Sequence, residues 1–114
     1  NYLGAQKESP ADVLVIPMTG DLSYAIGVST QMRRSGIRTQ IYFENKKFKH
    51  KIGYADKLDM PYAVFIGEDE IAAGKITAKN MKDGVQVTDT PQAIIEQIHT
   101  HLNQNRSEKL IQLD

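Results

Sequence analysis

At 114 residues the chain is long enough to bury one apolar core without disulfide or metal staples, and too short for two. It contains no cysteine, which excludes disulfides, thiolate metal sites and a cysteine nucleophile. Its 14 basic and 14 acidic residues cancel, so net charge alone points to neither a polyanion nor a membrane surface, and no apolar run approaches transmembrane length.

The opening, NYLGAQKESP, has no basic-then-apolar leader pattern, and residues 1–11 read as the end of a linker. Val13 to Ile16 is an apolar, β-branched run closed by Pro17, which predicts a buried strand. A helix is expected from about Asp21 to Ser35, with Leu22, Ala25, Ile26, Ser29 and Met32 on one stripe. Thr19 or Asp21 can cap it, Arg33 and Arg34 suit its last turn, and Gly36 supplies a left-handed stop. Thr39 to Phe43 is the next strand. A second helix is expected over Lys47 to Leu58, with Phe48, Ile52 and Ala55 inward and Lys46, Lys49, His50 and Lys57 off that stripe.

Tyr62 to Ile66 predicts a third strand, stopped at Gly67 and followed by an acidic turn, Glu68-Asp69-Glu70. With only that turn between them, a fourth strand near Lys75 to Lys79 must run antiparallel to the third. Lys82-Asp83-Gly84 makes a tight turn into a fifth strand, Val85 to Thr88. Thr90-Pro91 opens the last helix, a hydroxyl cap followed by proline at the first helical position, with Ile94, Ile95, Ile98 and Leu102 as its buried stripe. Residues 12–105 thus form the expected domain, and residues 106–114 a C-terminal tail in which only Leu110, Ile111 and Leu113 are apolar. The alternation predicts a three-layer α/β/α sandwich on a mixed five-stranded sheet.

Such a sheet invites nucleotide chemistry, but the first strand-to-helix loop, Met18-Thr19-Gly20-Asp21, is neither a dinucleotide fingerprint nor a phosphate cradle. The third strand ends in Ile66-Gly67-Glu68, without the aspartate of a phosphoacceptor. His99 and His101 are two apart on a helix and point to different sides, so they form no metal pair and read as surface histidines. With no catalytic set, metal or cofactor indicated, the remaining reading is recognition. The basic residues cluster: Arg33, Arg34 and Arg38, then Lys46, Lys47, Lys49, His50, Lys51 and Lys57. Unpaired bases are read by polar groups at base edges together with cations on phosphates. Asn45 after the second strand, Glu70 after the third and Lys79 at the end of the fourth are the candidate base readers, expected along one edge of the sheet. Glu68 and Asp69 are expected to hold the turn instead. Lys46, Lys47 and Lys49 are the candidate backbone contacts.

Several motifs resemble those of the anticodon-binding domain of histidyl-tRNA synthetases, class II enzymes. They are VLVIPM in the first strand, Arg33-x-Ser35-Gly36-Ile37 at the helix end, Tyr54-Ala55-Asp56-Lys57, and the stretch GEDE…GKITAKNM…GVQ. The threonyl- and prolyl-enzymes have the same kind of domain, and the Lys-Asn-Met-x-x-Gly-x-Gln ending favours the histidyl member. The resemblance implies strand order 2-1-3-4-5 with strand 4 reversed, and anticodon contacts at Asn45, Glu70 and Lys79. It implies a cytoplasmic parent, expected as a homodimer, that joins histidine to tRNA(His) with ATP and Mg. This chain, which lacks the class II motifs, would bind the anticodon stem-loop and be inactive alone. The alternative is a regulatory or accessory module of a histidyl-synthetase-like kinase or polymerase subunit, or a protein-interaction domain, without aminoacylation.

Overall fold

The computed structural model describes residues 10–43 and 47–113, with side chains for all of these except 48 and 105–113. Its elements are β1 (Val13–Pro17), α1 (Ser23–Arg34), β2 (Thr39–Ile41), α2 (Phe48–Lys57), β3 (Tyr62–Ile66), α3 (Glu68–Ala73), β4 (Ile76–Asn80), β5 (Gln86–Asp89) and α4 (Pro91–Leu113). The strands form one five-stranded sheet in the order β2-β1-β3-β4-β5. β1 pairs in parallel with β2 and β3, β4 runs antiparallel to β3, and β5 antiparallel to β4.

The central strands are buried on both faces because side chains alternate between two cores. Val13, Val15, Val64, Ile66, Ile76 and Ala78 face one core, closed by Ala25, Val28 and Met32 of α1 and by Ile94, Ile95 and Ile98 of α4. Leu14, Ile16 and Ala63 face a smaller core on the other side, against Ala55 of α2 and Met60. The three layers are therefore α1 and α4, the sheet, and α2. Ile26, expected on the buried stripe of α1, is exposed, and Val28 takes its place.

Helix ends follow local chemistry. The Asp21 carboxylate accepts from Ser23 N at 3.0 Å, and this bond lowers its pKa. α1 ends in Arg33 and Arg34, and Gly36 adopts φ 86°, the left-handed stop that a Cβ would strain. Arg33 turns back to donate two bonds to the Thr39 carbonyl. At the start of α4, Ala93 N donates to Thr90 Oγ1 at 3.3 Å.

The expectation for the segment after β3 needs correction. The acidic stretch after β3 is not a simple turn: Glu68–Ala73 is a short helix, with Gly67 as its N-cap and Gly74 at φ 69° ending it. The stretch expected as a tail continues the backbone of α4 to Leu113. The expected linker falls mainly in residues 1–9, outside the described residues, as do the side chains of Phe48, Leu110, Ile111 and Leu113.

Candidate nucleic-acid interface

The candidate site lies on the α2 side of the sheet, where α2 covers β1 and β3 but leaves outer positions of β4 and β5 accessible. Register fixes which side chains stand there. Thr77 lies opposite Phe65 and Thr88, and Lys79 opposite Ala63 and Gln86. Since Ala63 and Phe65 belong to the α2-side core, Thr77, Lys79, Gln86 and Thr88 share that face.

Glu70 enters this face from α3. As the third residue of the helix, it reaches back so that its Oε1 accepts from Gly67 N at 2.7 Å, one half of a capping box. Its Oε2 accepts from Thr77 Oγ1 at 3.1 Å, and Thr77 Oγ1 lies 2.8 Å from Thr88 Oγ1. The neighbours Glu68 and Asp69 are exposed in the first turn, where their charge suits the positive helix end. Glu70 itself thus holds the turn, a role expected of its neighbours.

Lys79 is half-buried on the same face as Thr77, two residues further along β4, a separation of roughly 7 Å. It does not stand on one edge with Glu70: β4 runs antiparallel, which carries Lys79 away from the carboxyl end of β3 and onto the sheet face. The two residues flank Thr77, an acceptor at one end of the row and a cation at the other.

Lys47 and Lys49 are exposed at the start of α2, and His50 and Lys57 are exposed further along it. Lys51 turns inward, with Nζ 3.4 Å from the Pro17 carbonyl, tying α2 to the end of β1. Tyr42 and Tyr54 meet edge-to-face at 5.4 Å, joining the end of β2 to the middle of α2. Asn45 and Lys46 lie outside the described residues, between Phe43 and Lys47. Phe43, 66% exposed just after β2, is an aromatic beside this cationic segment. In the sequence it stands out only as a strand residue.

The opposite face has different chemistry. A cavity of about 160 Å³ lies between β4, β5 and α4, lined by Tyr62, Asn80, Asp83, Val87 and Ile98 among others. Burial, followed by the charge of Asp83, raises the Tyr62 pKa, and the Tyr62 hydroxyl meets His101 Nδ1. His101 is therefore half-buried, not a surface residue, while His99 is exposed beside Asn103. Among the described residues, no three His, Cys, Asp or Glu side chains are grouped to hold a metal, and no helix is long and apolar enough to cross a membrane.

Comparison with known proteins gives the same picture of the fold. A family model described as "Anticodon binding domain" matches residues 12–101. The histidine–tRNA ligase of Clostridium tetani is 41% identical over 76 residues, which cover 67% of this chain and 17% of that protein. That of Finegoldia magna is 36% identical over 92 residues, covering 81% of this chain and 21% of the relative. The crystal structure of histidyl-tRNA synthetase from Nostoc sp. PCC 7120 superposes with TM-score 0.76 at 34% identity, over 82% of this chain and 23% of that one. The RNA binding domain of threonyl-tRNA synthetase from Cryptosporidium parvum Iowa II gives 0.74 at 22% identity, over 80% and 23%, a likeness of fold alone. The chain therefore spans about a fifth of the length of the curated relatives it matches.

Proposed function

The chain belongs to the anticodon binding domain family, and on that premise we propose that it is the anticodon-recognition domain of a histidine–tRNA ligase. The observation that carries this reading is the α2-side face, where a fixed carboxylate, two hydroxyls and a lysine share the side of the sheet on which α2, with its exposed lysines, packs. A carboxylate accepts from base N–H groups, whereas the lysines meet carbonyl or phosphate oxygens. Glu70 and Lys79 are the proposed base readers here, with Asn45 completing the set. Lys47 and Lys49, with Lys46, are the proposed contacts to the anticodon-stem backbone.

In the parent, a catalytic domain would bind ATP and Mg and join histidine to tRNA(His), and the enzyme would act as a cytoplasmic homodimer. This division of labour rests on the chain's share of its relatives' length. Pyrophosphate exchange with histidine and ATP is accordingly expected at background for the 114-residue chain. The reading is tested by titrating the chain with a stem-loop RNA carrying the histidine anticodon and with loops in which each anticodon base is replaced. Tighter binding of the histidine loop is expected; equal binding of every loop would contradict the assignment.

A further inference from the structure

Capping α3 requires one oxygen of the Glu70 carboxylate, yet the structure restrains both. Oε1 accepts from Gly67 N at 2.7 Å and Oε2 from Thr77 Oγ1 at 3.1 Å, so the carboxylate is held from its own helix and from β4 at once. The second restraint has a support of its own. A carboxylate has no proton to give, so the single hydroxyl proton of Thr77 points to Glu70. The 2.8 Å contact between Thr77 Oγ1 and Thr88 Oγ1 must then be donated by Thr88. The relay runs one way, from Thr88 on β5 through Thr77 on β4 to Glu70 on α3.

Gly67 completes the arrangement. Its φ of −106° is open to any residue, so conformation does not demand glycine there. Space does: a Cβ at this position would lie 2.9 Å from Glu70 Oε1. The missing side chain admits the carboxylate in its observed position.

We infer that Gly67, Thr77 and Thr88 are positioning residues for base discrimination, acting through Glu70. The inference rests on the anticodon reading and deepens it. Two restraints fix the plane of the carboxylate, leaving its remaining lone pairs in a set direction for the N–H groups of one unpaired base. The relay also leaves Thr88 with only acceptor capacity on the exposed sheet face. The Glu70–Thr88 end of the row therefore favours a ligand edge rich in donors, and Lys79 favours an acceptor beyond it.

The test uses the 114-residue chain and stem-loop RNAs carrying the histidine anticodon or a replacement at each of its three positions. Thr77→Val keeps the side-chain shape but removes the donor. It is expected to lower discrimination about tenfold at one anticodon position, the scale of one hydrogen bond to a charged group. Thr77→Ser should restore it. Thr88→Val, on the exposed outer strand, should give a smaller loss at the same position and supplies a second route should Thr77→Val fail to fold. A structural clip would lower the thermal midpoint in these variants without altering discrimination. If wild type discriminates and folded Thr77→Val and Thr88→Val discriminate equally well, the relay is overturned while the anticodon reading stands. If wild type binds all loops alike, the anticodon reading falls and the inference with it.

Discussion

Asp12 is a side chain whose bonds serve the fold, tying two strand starts together. Its carboxylate, 5% exposed, accepts from Arg38 N at 3.0 Å and pairs with the Arg38 guanidinium at 2.9 Å, joining the start of β1 to the start of β2. Because Arg38 is half exposed, the ion pair itself contributes little; the part-buried bond from Arg38 N matters more. Asp12→Ala is predicted to cost about 1–3 kcal/mol in urea denaturation by removing the carboxylate that accepts from Arg38 N, with RNA discrimination unchanged. Tyr62 belongs to the same class. Burial, then Asp83, favours its neutral phenol, so its folded pKa lies above its unfolded value near 10. The resulting stability is present below the unfolded pKa and is lost as pH rises through the folded one. Thermal midpoints should therefore fall above about pH 10, and Tyr62→Phe should reduce that slope. Glu70 differs from both in serving the turn and, as proposed, the ligand. Its place after β3 was legible in the sequence, but nothing there shows that Thr77 and Thr88, distant by 7 and 18 positions, would hold it.

The helix α3 illustrates what was legible among the elements and what was not. Six residues are too few to display helical periodicity, so the acidic stretch read as a turn. The signals present were a glycine N-cap, glutamate at the third helical position and Gly74 at the end. Longer elements declared themselves, because α1, α2 and α4 carry apolar stripes and β1 and β3 are continuous apolar runs. Strand ends moved by one or two residues, as they depend on pairing partners invisible in a single sequence. Two glycine substitutions separate the roles of α3. Gly74→Ala forces a side chain into the left-handed region and should cost roughly 1–2 kcal/mol in denaturation. Gly67→Ala should cost about 1 kcal/mol or less, since only the end of Glu70 must move, yet it should lower discrimination more than Gly74→Ala does.

Across the molecule, a net charge of zero coexists with a division of chemistry between two faces. Clustered lysines revealed the cationic helix in the sequence, but the face shared by Glu70, Thr77 and Lys79 required the strand register. Replacing Lys47 and Lys49 with Ala should weaken all stem-loops similarly and reduce the salt slope by about 0.7–0.9 for each phosphate no longer neutralised. Whether the α2-side face reads the loop is decided by amide chemical-shift mapping of the isotopically labelled chain with the histidine anticodon stem-loop. The largest shifts are expected at Lys47–Lys51, Gly67–Glu70, Thr77–Lys79 and Thr88. Shifts confined to the opposite face, around Val87, Gln97 and His101, would contradict this reading.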